Sequence, residues 1–308
     1  MGFSECIRSG RPVLMEGALG ERLKREYRLS FHPDVAMATL AELPRGRAAL
    51  EELWRGYTAI AGRYGLPFLA TTPTRRANRE RMTAAGRDQR LIERNVRLLN
   101  HVRETVNCQM YVGGLMGCRG DAYTGEGNLP EAEAAEFHSW AAEAFQASGA
   151  EFLYAGIMPT LPEAAGMARA MEATGLPYLI SFTIQKDGCL VDGTPIADAI
   201  AYIDAVTVRN PACYMTNCVH PSIVREALEQ SFNQTESVRR RFLGIQANTS
   251  PLSYGELELA TELLYAEPEE LANDMMALRE ISDFCIFGGC CGTDARHIEA
   301  VAKRLAGQ

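Results

Sequence analysis

Eight short apolar runs, each closed by turn-forming residues and each followed by a longer stretch of helical period, recur along the whole chain. The runs are Val13–Ala18, Phe68–Thr72, Met110–Leu115, Phe152–Met158, Tyr178–Ile184, Cys213–Val219, Leu243–Ala247 and Phe284–Phe287. Helices are predicted over Arg47–Tyr64, Ala84–Val106, Pro130–Ala147, Leu161–Ala173, Pro195–Ala205, Pro221–Gln230, Pro268–Ile281 and Asp294–Leu305. Proline opens the third, fifth, sixth and seventh of these, where its missing N–H has no partner to lose, and Asp294 is placed to cap the eighth. Eight strand–helix pairs predict an α/β fold of one kind, a single (β/α)8 TIM barrel. A length of 308 residues leaves room for long loops beyond the ~250 that such a barrel typically needs.

The structural rival is a doubly wound sheet, which usually has fewer strands and a glycine-rich phosphate turn after the first. Here the first run leads into Met15-Glu-Gly-Ala-Leu-Gly20, a Gly-x-x-Gly without the dinucleotide fingerprint. No repeat, low-complexity tract or linker divides the chain, so residues 1–308 read as one domain. The segment from Glu21 to Arg45 is the longest strand-to-helix loop and is placed to cover the barrel mouth.

Lysine and arginine total 31 against 39 acidic residues, a net charge of −8. That balance argues against nucleic acid as a partner, since phosphate neutralisation drives such binding. Small molecules are the expected partners. No window approaches the ~18 apolar residues of a membrane span, and the first ten residues lack a signal-peptide core and the myristoylation pattern. The expectation is no membrane association and a cytoplasmic location.

Nine cysteines in a reducing compartment point to metal or catalysis before disulfides where their spacing is unusual. Cys290 and Cys291 are adjacent, inside Phe287-Gly-Gly-Cys-Cys-Gly-Thr293, and Cys218 ends the sixth run in Met215-Thr-Asn-Cys218. In a barrel all three fall at C-terminal strand ends, where active sites form. Adjacent strand residues face opposite ways, so two neighbouring cysteines share one metal only if the backbone bends, and Gly288, Gly289 and Gly292 supply that freedom. Three thiolates would leave a zinc ion one open tetrahedral position. The residues alone leave other readings open: small buried hydrophobes, a vicinal disulfide, or His220 in place of one cysteine. Cys6, Cys108, Cys118, Cys189, Cys213 and Cys285 read as buried hydrophobes.

The order of Leu14-Met-Glu-Gly-Ala-Leu-Gly20, Thr216-Asn-Cys218 and Gly288-Gly-Cys-Cys-Gly292 resembles the zinc-dependent homocysteine S-methyltransferases over almost the entire chain. The resemblance implies a (β/α)8 barrel and a methyl transfer from a small activated donor to a thiol in methionine biosynthesis. It makes Cys218, Cys290 and Cys291 both the Zn2+ ligands and the catalytic residues.

The resemblance also shows departures. Family members usually carry an Asp where Glu16 stands and a Glu where Gly156 stands, in Tyr154-Ala-Gly-Ile-Met-Pro159; both help hold the amino group of homocysteine. After the second run this chain has Thr71-Thr-Pro-Thr-Arg-Arg76, and Arg75 and Arg76 are suited to clamp a carboxylate or phosphate. The alternative is pairing with local acids such as Glu80. A lost carboxylate and a gained arginine pair point to an acceptor thiol that lacks the α-amino group or presents an acidic one.

Further mouth residues are Gly17, Ala18 and Gly20, which admit close approach; Asn248, Thr249 and Ser250, which suit hydrogen bonding; Asn217, placed to orient Cys218; and the rings of Tyr123 and Tyr254. Three alternatives stand beside the leading reading: a methyltransferase component working with a separate corrinoid protein, a catalytically silent metal-binding barrel, and a Cys290–Cys291 redox switch. Self-association is left open. No Asp-x-His-x-x-Gly cobalamin signature occurs in the chain, so any corrinoid would arrive on a partner.

Overall fold

The computed structural model describes residues 1–252 and 265–307. Eight parallel strands close into a barrel in sequence order: β1 (Val13–Met15), β2 (Phe68–Thr71), β3 (Met110–Gly117), β4 (Phe152–Met158), β5 (Tyr178–Phe182), β6 (Cys213–Val219), β7 (Phe242–Ala247) and β8 (Ile286–Gly289). Closure comes from β1, which pairs with β2 through Leu14↔Phe68 and with β8 through Leu14↔Phe287. All but two of the strand residues are buried, because helices cover the outside and side chains fill the inside. That double burial is why the strands read as near-continuous apolar runs.

Around the barrel stand α3 (Pro44–Arg63), α5 (Arg90–Arg103), α6 (Glu131–Ala147), α7 (Leu161–Ala173), α8 (Ile196–Val206), α9 (Pro221–Leu228), α11 (Pro268–Ala277) and α12 (Ala295–Leu305). Asp294 caps α12 as expected: its carboxylate accepts from the N–H groups of Arg296 and His297, and the ring of His297 returns a bond to the Asp294 N–H. The predicted helix Ala84–Val106 starts late, as α5 at Arg90, and a separate short helix, α4 (Arg79–Ala84), ends where it was expected to begin. Gly86, at φ +63, ends α4 in the left-handed conformation that terminates helices.

Among the described residues, three further short helices went unanticipated. The first, α1 (Phe3–Arg8), plugs the N-terminal end of the barrel. Its Phe3 stacks on Phe152 at 4.3 Å, and Phe3, Cys6 and Ile7 join Val13, Leu69, Tyr111 and Cys213 in the interior cluster. The expected long loop carries α2 (Gly20–Arg25), a bridge between His32 and Ala36, and a 3-10 turn over Met37–Glu42. The last, α10 (Glu236–Arg241), leads directly into β7. Among the described residues no helix is long and apolar enough to cross a membrane.

Candidate metal centre

At the C-terminal ends of β6 and β8 the Sγ atoms of Cys218, Cys290 and Cys291 lie within 4.8 Å of one another, and those of Cys218 and Cys291 are 3.5 Å apart. Among the described residues this is the one cluster of three or more His, Cys, Asp or Glu side chains with metal-binding spacing. No pair of the nine cysteines is joined as a disulfide.

Two different backbone devices bring the sulfurs together. On β8 the strand stops at Gly289, and the next four residues form a turn in which the Thr293 N–H donates to the Cys290 carbonyl at 3.1 Å. Gly292 takes φ +81 there, and a Cβ on it would stand 1.9 Å from Thr249 Oγ1. Gly288 and Gly289 have no positive φ; they are glycine because a Cβ would strike Met15 and Thr293 respectively. So of the three glycines expected to supply conformational freedom, one does, and two supply room. On β6 the device is Cys218 itself, a non-glycine residue at φ +65 beside a register shift between Asn217 and Val219. Backbone held in that region is costly and clusters at functional sites.

Neighbouring strands brace the cluster. The Cys290 N–H donates to the Ala247 carbonyl at 2.7 Å, and the Thr249 N–H to the Cys291 carbonyl at 3.2 Å. Glu21, which no motif singled out, accepts the Gly292 N–H at 2.5 Å. The Tyr123 hydroxyl donates to Cys218 Sγ at 3.7 Å and the Asn248 amide at 3.9 Å. Tyr123 therefore lies at the sulfurs and not at the rim. Asn217, the residue before Cys218, ties β6 to β4 and β5: its Oδ1 accepts the Ile157 N–H at 3.1 Å and the Ser181 hydroxyl at 2.5 Å.

The electrostatics of the trio are those of one shared negative charge. Hydrogen bonds from Cys290 and Cys291 hold Cys218 well below the ordinary thiol range. The same bonding, made to Cys218, pushes Cys290 and Cys291 up, with burial adding to it. Three thiolates at this separation need a cation to coexist, and the donor set is that of a soft or borderline divalent metal with one ligand position left for a substrate.

Other predicted residues line the same end of the barrel. Glu16 is buried just beyond β1, and its Oε1 accepts from the Thr71 N–H at 3.1 Å and the Thr71 hydroxyl at 2.6 Å. Its Oε2 is buried without a hydrogen-bond partner, and burial raises this carboxyl to about 7. Gly17 gives its space to Tyr57, whose hydroxyl would be 2.7 Å from a Cβ there and donates to the Ala18 carbonyl. Gly156 pairs in register with Gly117, and a Cβ on Gly156 would meet Leu115 Cδ1 at 2.7 Å. His220 lies outside the sulfur cluster and caps α9, accepting the Ser222 N–H on Nδ1.

Arg75 and Arg76 follow β2. The expected partner, Glu80, is taken by Arg119 at 3.0 Å. Tyr254 lies outside the described residues.

Comparison with known proteins adds three findings. A family model described as homocysteine S-methyltransferase matches residues 13–305. The metallated form of the homocysteine methyltransferase MmuM from Escherichia coli superposes with a TM-score of 0.75 at 20% identity, over 97% of this chain and 98% of that one. Its oxidized form gives 0.71 at 22% identity, over 95% and 96%. Identity at that level demonstrates a common fold. No curated protein matches the sequence.

Proposed function

Since the chain belongs to the homocysteine S-methyltransferase family, we propose that it is a zinc-dependent thiol S-methyltransferase, which moves a methyl group from a small activated donor to homocysteine or a related thiol. The observation that carries this reading is the convergence of Cys218, Cys290 and Cys291 at two strand ends with their sulfurs within 4.8 Å.

In the transfer a new S–CH3 bond forms as the bond from the methyl carbon to the donor heteroatom breaks. The electron pair returns to the donor, and the thiol proton leaves to solvent. A thiol of pKa ~8.5 is mostly protonated at neutral pH, and the thiolate is the nucleophile. Zn2+, when bound, supplies a Lewis acid that keeps a substrate thiol deprotonated.

The chain's own residues bind and orient. Cys218, Cys290 and Cys291 hold the metal, with Asn217, Asn248 and Thr249 fixing the backbone and sulfurs around them. The unpartnered Oε2 of Glu16 offers a hydrogen bond to the acceptor thiol's polar group, and Gly17 sets the loop beside it. Leu115 fills the space over Gly156 with an apolar surface that excludes water from one side of the site. A cationic donor loses its charge as it reacts, so a drier mouth favours transfer.

The test is metal analysis and methylation assay together. Cys290→Ala removes bound metal and activity in parallel, and turnover persisting without metal refutes the mechanism.

A further inference from the structure

The stretch from Arg75 to Arg103 holds nine arginines, and their charges are not treated alike. Arg87, Arg90, Arg94, Arg97 and Arg103 each reach a carboxylate: Glu42, Asp88, Glu42, Glu93 and Glu151 respectively. On α4, Arg79 is exposed, and Arg81 donates to the Arg119 carbonyl at 3.3 Å. Arg75 and Arg76, the two that stand at the barrel mouth, form no ion pair and no side-chain hydrogen bond among the described residues, though both are half-buried. The Nε of Arg76 is buried with no partner at all.

This loop is held firmly. Thr74 Oγ1 donates to the Leu115 carbonyl at 2.8 Å, and the Leu115 N–H donates to Thr72 Oγ1 at 3.0 Å, so the segment is stitched to β3. Arg75 then lies across the end of that strand: a Cβ on Gly117 would be 2.6 Å from Arg75 Cγ and 2.7 Å from its carbonyl oxygen. Gly117 is in register with Gly156, so the Arg75 stem crosses the barrel rim beside the site. Its charge acts on Tyr123, which touches Cys218, and on Asp121. Asp121 is committed elsewhere, accepting the N–H groups of Tyr123 and Thr124 at 2.8 Å each. Arg76 has Arg75 and Arg81 as cationic neighbours and only Asp34 as an acidic one, and burial with those like charges lowers its pKa.

Two guanidinium groups without an anion, one of them with a buried and unpartnered Nε, on a braced loop at the mouth, are a site awaiting one. We propose that Arg75 and Arg76 dock an anionic group, a carboxylate in the first instance, carried by a substrate of the methyl transfer. The inference rests on the thiol-transfer reading and narrows it to substrates with a negative charge placed away from the reacting atom. Two adjacent guanidinium forks suit a planar carboxylate bidentately, which a single ammonium would not. The carboxylate can belong to the acceptor thiol or to the methyl donor, and the measurement separates the two.

Cobalt(II)-loaded protein reports thiol coordination by its sulfur-to-metal charge-transfer absorption, with no need of a donor or turnover. Titration compares 3-mercaptopropionate with the uncharged 2-mercaptoethanol, and calorimetry on the thiol-loaded protein compares glycine betaine with choline. A charge-assisted pair should favour the anionic member of one couple by about 10- to 100-fold. Preference within the thiols assigns the carboxylate to the acceptor, and preference within the quaternary amines assigns it to the donor. In Arg75→Gln and Arg76→Gln the ratio should fall towards one while cobalt content and unfolding midpoint hold, and Arg75→Lys should restore part of it.

Absence of preference in both couples, or a preference that survives both substitutions, overturns the inference. If the arginines only balance the charge of the three thiolates, Arg75→Gln weakens cobalt binding and shifts every thiol equally, which also overturns it. A cobalt-loaded protein that responds to no thiol sinks the thiol-transfer reading itself, and this inference with it.

Discussion

The Oδ1 of Asn217 accepts the backbone N–H of Ile157 at 3.1 Å, and so links two residues whose backbones share an unusual conformation. Ile157 stands at φ +58 on β4, and Cys218, next to Asn217 on β6, at φ +65. A β-branched residue rarely adopts that region, which costs on the order of 1–3 kcal/mol per residue. β4 shifts register between Ala155 and Met158, and β6 between Asn217 and Val219. One buried amide thus ties the distortion of β4 to the one on β6 that turns Cys218 towards its partners.

Asn217→Ala leaves the Ile157 N–H and the Ser181 hydroxyl without that acceptor. The expected loss is about 1–3 kcal/mol of stability and about ten-fold or more in metal affinity, as for other groups that orient metal ligands. Urea unfolding and competitive chelator titration measure the two effects. Unchanged metal affinity would show that Cys218 holds its conformation without this bond.

A carboxyl held at about 7 by burial makes the metal-free fold sensitive to pH at Glu16. Between its ordinary 4.5 and about 7 the folded chain keeps a proton that the unfolded chain has released. Stability therefore falls as pH rises through that window, by about 3 kcal/mol in all from this one group. Glu16→Gln retains an acceptor for Thr71 and has no charge to bury, so its stability should exceed that of the parent at pH 8 and match it near pH 4.5. A parent and variant that run in parallel from pH 4.5 to 8 would assign the pH dependence to other groups.

The barrel was legible because every strand is buried on both faces and writes itself as an apolar run, while the helices announce themselves by proline and by Asp294. The cysteine cluster was legible from an adjacent cysteine pair among glycines and from the resemblance that pair carries. Tyr123 was picked out for its ring and not for its hydroxyl: it sits in an irregular loop, and only the fold brings that hydroxyl to Cys218. Left-handed backbone at Cys218 was equally silent, because the neighbouring glycines look like the natural place for it. Pairing of Arg75 with Glu80 was a reasonable local expectation, but Arg119 arrives from the next strand-to-helix loop and takes that carboxylate first.

Glu163, in the first turn of α7, reads in the sequence as an ordinary helix-start acid. In the structure it is fully buried and holds both ends of the loop that carries Tyr123. Its Oε1 accepts the Arg119 N–H at 2.6 Å and lies 2.9 Å from His138 Nε2, and its Oε2 accepts the Leu129 N–H at 3.2 Å. Glu163→Ala abandons a buried histidine and two N–H groups, which should cost about 3–5 kcal/mol. Glu163→Gln keeps one acceptor oxygen and should cost less. A loosened loop also releases the Tyr123 hydroxyl, so a hydrogen-exchange increase confined to residues 119–129 is expected in the Gln variant. Exchange that rises evenly over the whole chain would mean that Glu163 supports the fold in general and not this loop.

The protonation pattern of the sulfurs sets how many protons metal binding must displace. In the metal-free chain the two neighbours lower the pKa of Cys218 and favour its thiolate, while Cys290 and Cys291 are pushed up towards the thiol. Ligand sulfurs must all be deprotonated to coordinate, so uptake of one divalent ion at pH 7 should release about two protons from the protein. A weakly buffered solution with an indicator dye counts them directly, and metal affinity should rise about a hundred-fold per pH increment of one while both thiols remain protonated. Release of about three would mean that Cys218 is a thiol in the free protein, and the shared-charge account would fall. Cys218→Ser gives a further check: without the thiolate that repels them, Cys290 and Cys291 should titrate closer to the ordinary thiol range, seen as thiolate absorbance appearing at lower pH than in the metal-free parent.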